Sequence, residues 1–139
     1  SGQLEKDLLA IIKQLGLDNT IELHSETDDV GSLLSKAHAL IISSDREGSP
    51  KVLYESLYCK VPVLSTDCGN IAEVLPNQSI AETNDQSFQH LLKKWAGKIN
   101  ELSLLQKNCF NEVRSKNLLS IQTKKVNEKY QEFLSMASR

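Results

Sequence analysis

Apolar residues at three- and four-residue spacing open the chain and predict an amphipathic helix over Leu4–Leu15, which Gly16 ends. The short run Thr20–Leu23 predicts a strand. Asp28-Asp29 are good capping residues, and we expect them to begin a second helix over residues 30–37. The first third of the chain therefore alternates helix and strand.

Two apolar runs, His38–Ser43 and Val61–Ser65, lack the polar alternation of a strand that has one face in water. Continuous apolar runs are typical of parallel strands that are covered by helices on both faces. The segment Pro50–Cys59 between them has helical spacing. A strand, a helix and a second strand in this order predict the α/β class, with a Rossmann-like parallel sheet flanked by helices.

The second half of the chain predicts mainly helices. The expected elements are a short helix with Ile71, Val74 and Leu75, an edge strand at Ser79–Ala81, a long helix from Gln86 capped by Asp85, and helices over Leu102–Phe110 and Ile121–Leu134. Gly97 should interrupt the long helix. A doubly wound sheet rarely starts with a helix that leads to an edge strand, so we expect one or more strands upstream of Ser1.

Composition narrows the class of protein. A chain of 139 residues, with 40% apolar and 24% charged residues, suits one globular domain over residues 1–139. The net charge of −2 argues against a nucleic-acid partner. The three cysteines, Cys59, Cys68 and Cys109, lack CxxC spacing and are expected to be reduced, as in a cytoplasmic protein. No apolar run approaches the ~20 residues of a membrane span.

The candidate chemistry lies in the loop that follows the first apolar strand. Ser49 is a suitable N-cap and Pro50 a suitable first residue for the helix behind it. The free backbone N–H groups of such a helix start attract phosphate. Glu47 and Glu55 flank this start, and carboxylates beside a phosphate site suit a hydroxyl-rich ligand such as ribose or another sugar. A second loop, Thr66–Asn70, follows the next strand and should open at the same sheet edge.

These two segments resemble a known family. Residues 43–57 contain two glutamates separated by seven residues, with Gly48 and Pro50 after the first, and residues 61–69 together with Glu73 follow. This arrangement is similar to the nucleotide-sugar site of retaining glycosyltransferases of the glycogen-synthase-like group, called glycosyl transferases group 1 or family 4. The similarity extends over almost the whole chain and is most specific between Ser43 and Glu73.

The resemblance implies an enzyme of the GT-B type, in which two Rossmann-like halves face each other across a cleft. This chain would be part of the C-terminal, donor-binding half, inactive alone because an N-terminal acceptor domain is missing. The full enzyme would transfer a hexosyl unit from a nucleoside diphosphate sugar to an acceptor hydroxyl with retention, in polysaccharide or lipopolysaccharide biosynthesis. It would be cytoplasmic, and would reach the inner membrane face only through the missing part.

Residue roles follow from the same resemblance. Glu47 would be catalytic and approach the transferring carbon of the sugar, whereas Glu55 would bind the ribose hydroxyls. The implied donor-binding residues are Glu47, Gly48, Ser49, Pro50, Lys51, Val52, Glu55 and Gly69. No cofactor and no metal are expected. The chain departs from the family at Asn70, where a second glycine is usual, and at Lys60, where glycine precedes the Val-Pro pair.

Other interpretations remain open at this stage. Arg46 and Lys51 are either anion-binding or solvated cations, and Asp67 is expected to cap its loop. His24 and His38 lack sequence partners for a metal site or a catalytic triad. The alternative functions are a nucleotide-sugar epimerase of the same architecture and a non-catalytic α/β nucleotide-binding or signalling module, for instance of the receiver type.

Overall fold

The computed structural model of the chain describes residues 3–24, 27 and 29–116. Contacts divide the chain into two compact units, Ser1–Val30 and Gly31–Arg139. The secondary structure consists of α1 (Gln3–Gln14), α2 (Val30–Lys36), β1 (Leu40–Ile42), α3 (Lys51–Tyr58), β2 (Val63–Thr66), α4 (Ile71–Val74), a 3-10 turn (Asn77–Ser79), β3 (Ile80–Ala81), α5 (Asp85–Trp95), α6 (Ile99–Leu105) and α7 (Lys107–Lys116).

The first unit is built on α1, whose observed bounds confirm the predicted helix to within one residue. Gly16 ends the helical segment in the left-handed conformation, with φ +66°, which glycine adopts without strain. The apolar face differs from the expectation of a buried stripe. Ile12 is buried, whereas Leu4 is 83% exposed and Ile11 is 51% exposed.

The predicted strand at Thr20–Leu23 is wrong, because these residues form a turn and irregular structure. The N–H groups of Thr20 and Ile21 both donate to the carbonyl oxygen of Leu17. The backbone donors that a strand would offer to a neighbouring strand are therefore used in a local turn. The apolar side chains of Ile21 and Leu23 gave no sign of this turn.

The second predicted helix is confirmed as α2, although it stops at Lys36. The N–H of Asp29 donates to Thr27 Oγ1 at 3.1 Å, just before the helix begins. Asp28, the other expected cap, lies outside the described residues.

The sheet is parallel and has the order β1-β2-β3. Leu40 pairs with Val63, and Ser65 pairs with Ile80. The observed β1 is shorter than the predicted run from His38 to Ser43, and the predicted edge strand at residues 79–81 is confirmed as β3. All of β2 is buried, because it lies between the other two strands.

Adjacent residues of β2 pack on opposite faces of the sheet. Val63 belongs to a cluster with residues of α3, α4 and α7, including Leu53, Ile71 and Phe110. Leu64 belongs to a second cluster with α5 and α6, including Trp95. Helices therefore cover both faces, which confirms the α/β prediction. The expectation of a fully buried first strand is wrong for Ile41, which is 53% exposed on a strand at the end of the sheet order.

Two predicted helix caps are displaced by one residue. Pro50, and not Ser49, is the N-cap of α3, because the first turn closes on its carbonyl, which accepts a hydrogen bond from the Leu53 N–H at 3.1 Å. Asn84, and not Asp85, caps α5 by accepting a hydrogen bond from the Ser87 N–H at 2.9 Å. Asn84 and Asp85 are both good capping residues, so the sequence could not separate them, whereas Pro50 takes the cap position without a side-chain hydrogen bond.

A buried glutamine extends the sheet where β2 begins. The side chain of Gln106, between α6 and α7, accepts a hydrogen bond from the Val63 N–H at 2.9 Å and donates to the Val63 carbonyl at 2.7 Å. Its Nε2 also donates to Ser79 Oγ at 2.8 Å. The amide thus replaces the peptide group of a missing strand residue beside Val63.

The segment Leu102–Phe110, predicted as one helix, is divided between α6 and α7, with Gly97 in the break before α6 at φ +74°. The helix predicted over Ile121–Leu134 lies outside the described residues. Among the helices that the structure describes, none combines the length and the apolar character needed to span a bilayer.

Candidate functional site

Two loops leave the carboxyl ends of the neighbouring strands β1 and β2, as the sequence predicts for a ligand-binding edge. Thr66, the last residue of β2, holds their first residues together. Its Oγ1 lies 2.6 Å from the carbonyl oxygen of Ser44 and 3.5 Å from that of Ile42. A hydroxyl at this position therefore fixes the start of the loop that carries Glu47.

The two loops touch at Gly69. It adopts φ +57°, and a Cβ atom placed there would lie 2.4 Å from the carbonyl oxygen of Gly48 and 2.8 Å from that of Glu47. Distances this short leave no room for a side chain. Gly69 is therefore required both by its backbone conformation and by its contact with the glutamate loop, which brings three of the predicted site residues together.

The Glu47 carboxylate is exposed at the surface of the loop. Ser44 Oγ donates a hydrogen bond to Glu47 Oε1 at 2.9 Å. This bond restrains one carboxylate oxygen from within the loop. Gly48 has nothing within 4 Å of an added Cβ, so the loop is open to solvent at that point.

The start of α3 presents backbone groups to the same edge. The first N–H groups of a helix have no intrahelical acceptor, and they carry the positive end of the helix dipole. Pro50 is buried and Val52 is half-buried, so their side chains face the interior, whereas Ser49 and Lys51 are exposed. Of the donor-binding residues predicted here, Val52 can thus contribute through backbone atoms alone. Pro50 has no N–H, and its carbonyl accepts the Leu53 N–H, so it offers no donor to a ligand.

Glu55 lies on the second turn of α3 and is exposed. It is four residues from Lys51, so both side chains lie on the same face of the helix. The two glutamates of the predicted pair therefore occupy different elements, Glu47 in the loop and Glu55 on the helix.

Asp67, predicted to cap its loop, is exposed, and its loop is held by backbone bonds. The Asp67 N–H donates to the Ala81 carbonyl at 2.7 Å, and Thr83 Oγ1 donates to the Asp67 carbonyl at 3.2 Å. These bonds anchor the second loop to the end of β3, so the carboxylate is not needed to hold the loop.

The sequence did not predict these roles for Ser44, Thr66 and Tyr54, and it marked Asn70 only as a departure from the family's second glycine. The side-chain amide of Asn70 donates to Tyr54 Oη at 2.6 Å, joining the second loop to α3. A hydroxyl at the end of each strand was the available signal for Ser44 and Thr66. No local pattern pairs Tyr54 with Asn70, because sixteen positions separate them.

The cysteines are free thiols. Cys109 lines a small cavity of about 140 Å³ together with Tyr54 and Glu73. Burial raises the pKa of the Cys109 thiol and the nearby Glu112 carboxylate also raises it, against a hydrogen bond with the backbone that lowers it. In the part of the chain that the structure describes, no group of three or more His, Cys, Asp or Glu side chains could hold a metal ion.

The chain is similar to one protein family and to several known proteins. A model of the family described as glycosyl transferases group 1 matches residues 1–108. The chain is 25% identical over 122 residues to the N-acetyl-alpha-D-glucosaminyl L-malate synthase of Bacillus anthracis, covering 81% of this chain and 32% of that protein. It is 38% identical over 72 residues to the Vi polysaccharide biosynthesis protein VipC/TviE of Salmonella typhi, covering 52% and 12%.

A third relative, an uncharacterized glycosyltransferase of Methanocaldococcus jannaschii, is 33% identical over 89 residues, covering 63% of this chain and 22% of the relative. The chain thus spans about a third or less of the length of these relatives. The sucrose-phosphate synthase of Thermosynechococcus elongatus has the same fold, with a TM-score of 0.81 and 13% identity over 97% of this chain and 35% of that structure. Because the family model matches residues 1–108, this chain belongs to the glycosyl transferases group 1 family.

Proposed function

We propose that this chain is the donor-binding part of a retaining glycosyltransferase of the GT-B type. The contact of Gly69 with the carbonyl groups of Glu47 and Gly48, beside the start of α3, carries the proposal. It brings a carboxylate, a solvent-open glycine and free helix N–H groups to one sheet edge. Family membership favours this function over an epimerase or a receiver-type module.

The proposed reaction transfers a hexosyl unit from a nucleoside diphosphate sugar to an acceptor hydroxyl. The glycosidic bond to the diphosphate breaks, the diphosphate gains charge, and the sugar passes through an oxocarbenium-like state. The acceptor oxygen forms the new glycosidic bond, and its hydroxyl proton passes to the departing diphosphate. The backbone N–H groups of Gly48, Ser49, Lys51 and Val52 and the dipole of α3 would stabilise the leaving diphosphate. The Glu47 carboxylate would lie beside the transferring carbon, and Glu55 would bind the ribose hydroxyls.

Donor binding by the 139-residue chain tests this proposal. Isothermal calorimetry and saturation-transfer NMR with UDP, GDP, UDP-glucose, UDP-N-acetylglucosamine and GDP-mannose should show binding with a Kd on the order of 1 mM, or about −4 kcal/mol. Glu47→Ala should weaken binding of the nucleotide sugar and leave that of the free nucleotide unchanged. Glu55→Ala should weaken both, by roughly tenfold, because a hydrogen bond to a charged group contributes about 1.5–3 kcal/mol.

Glu101→Ala is the matched control, because Glu101 is an exposed glutamate in the first turn of α6 and not in the proposed site. The absence of binding by folded chain at millimolar nucleotide would reject the donor-site assignment. Equal, unchanged affinities in all three variants would reject the roles of the two glutamates while leaving donor binding intact.

Two acceptor classes are supported by different relatives. Similarity to a polysaccharide biosynthesis protein supports a saccharide acceptor and a role in making a surface polysaccharide or lipopolysaccharide. Similarity to a synthase named for L-malate, which covers more of this chain, supports a small hydroxy acid. Assays of the full-length enzyme with a lipid-linked saccharide and with L-malate, each supplied with the donor that the chain binds, would separate the two.

Free thiols suit a cytoplasmic location for this reaction.

A further inference from the structure

The side chain of Asn70 has one satisfied and one unsatisfied polar atom. Its Nδ2 donates to Tyr54 Oη at 2.6 Å. Its Oδ1 is buried and has no hydrogen-bond partner among the described residues. Asn70 occupies the N-cap position of α4, yet its side chain makes no capping bond. A buried acceptor without a partner lowers stability, so helix capping and stability do not account for this residue.

Asn70 follows the glycine at which the two site loops touch. Gly69 contacts the carbonyl groups of Glu47 and Gly48 through its backbone. Because adjacent Cα atoms are fixed about 3.8 Å apart, a side-chain bond that holds Asn70 also restricts where Gly69 can lie.

Tyr54 holds the other end of this bond on a rigid element. It lies in α3, directly before Glu55, and it packs against the buried cluster that contains Leu53 and Leu57. The hydrogen bond therefore connects the loop after β2 to the helix that follows the glutamate loop. Together with the contact at Gly69, it closes a ring of interactions through the two site loops and α3.

We infer that Tyr54 and Asn70 are positioning residues, whose hydrogen bond keeps Gly69 against the backbone of Glu47 and Gly48 and so sets the position of the Glu47 carboxylate for the donor sugar. The consequence for sugar binding rests on the proposed function. The structural part of the inference, that the pair sets the geometry of the two loops, does not depend on a ligand.

The structural part is tested on the free chain by NMR. Tyr54→Phe removes the hydroxyl and leaves the ring, so the amide resonances of Gly48 and Gly69 should shift. Tyr58→Phe is the matched control, because Tyr58 is an exposed tyrosine on the same helix whose ring contacts Arg114. Circular dichroism should show that both variants keep their helix content. Unmoved Gly48 and Gly69 resonances in Tyr54→Phe would overturn the inference.

The ligand part compares UDP-glucose with UDP and GDP-mannose with GDP. In Tyr54→Phe and Asn70→Ala, the gain in affinity due to the sugar should fall roughly fivefold to tenfold, as for one lost hydrogen bond. Affinity for the free nucleotide should stay within about twofold, because the ribose site on α3 is intact. The double variant should lose no more than either single variant, since both remove the same bond.

A merely structural role predicts a different pattern. It would lower the denaturation midpoint of Asn70→Ala, whereas we expect the midpoint to be unchanged or raised, because the unsatisfied Oδ1 is removed. Tyr54 lines the cavity of about 140 Å³, which is large enough for water to bond its hydroxyl in that variant. An unchanged sugar-dependent gain in both variants would refute the positioning role while the proposed function stands. If the unaltered chain bound no nucleotide sugar, the proposed function would fail, and the resonance test would still decide the pair's role.

Discussion

Replacing Gly69 with alanine should destabilise the chain more than the same change at any open glycine, and it should disturb the donor site. Two effects add. At φ +57° an alanine is strained by roughly 1–2 kcal/mol, because a Cβ is unfavourable in the left-handed conformation. The new Cβ would also lie 2.4 Å from the Gly48 carbonyl oxygen, so the backbone must move by several tenths of an ångström. Such overpacking costs about 1–3 kcal/mol.

Gly97→Ala is the matched control. Gly97 has φ +74° and nothing within 4 Å of an added Cβ, so it tests the backbone strain without the contact. We expect Gly97→Ala to cost roughly 1–2 kcal/mol and Gly69→Ala roughly 2–5 kcal/mol. The difference between these two losses of unfolding free energy measures the cost of disturbing the contact between the two loops.

Urea unfolding measures both variants, with fluorescence of the single tryptophan, the buried Trp95, and far-UV circular dichroism as probes. The slope of the unfolding free energy against urea should not change if only stability is altered. Gly69→Ala should also weaken nucleotide-sugar binding, and Gly97→Ala should not. A cost at Gly69 no larger than that at Gly97, or unaltered donor affinity in Gly69→Ala, would refute the reasoning.

Three further predictions concern features away from the donor site. Lys60 is a non-glycine residue at φ +63°, so Lys60→Gly should raise the free energy of unfolding by about 1 kcal/mol in urea titrations. Gln106→Leu should lower it by roughly 3–5 kcal/mol, because the buried N–H and carbonyl groups of Val63 each lose a hydrogen bond. Because burial raises the folded-state pKa of Cys109, the unfolded chain ionises first, and stability should fall as pH rises above the ordinary value of 9.0.

Each of these has its own control. A destabilised Lys60→Gly would show that the lysine side chain makes an unrecognised contribution. Leucine can make neither hydrogen bond to Val63, so a Gln106→Leu variant as stable as the unaltered chain would contradict the sheet-extending role. In Cys109→Ala the decline in stability above pH 9 should be smaller; an identical pH profile would contradict the raised pKa.

The sequence by itself determined the class of fold and the place of the candidate site. Two continuous apolar runs with a helix between them favour a parallel sheet that helices cover on both faces, and the packing of Val63 and Leu64 shows this for β2. The carboxyl ends of parallel strands share one edge, so Glu47 and Gly69 could be predicted to lie near each other. These inferences depend on local periodicity and on the direction of the chain.

Tertiary structure decided what depends on partners distant in the sequence. Thr20–Leu23 has apolar residues suited to a strand. The N–H groups of Thr20 and Ile21 donate to the Leu17 carbonyl, so local hydrogen bonding overrode the strand propensity. Gln106 looked like an ordinary polar helix residue, and only its approach to Val63 made it part of the sheet. The bond between Tyr54 and Asn70 likewise exists because folding brings two elements together. Such contacts depend on three-dimensional distance, which residue spacing along a chain does not encode.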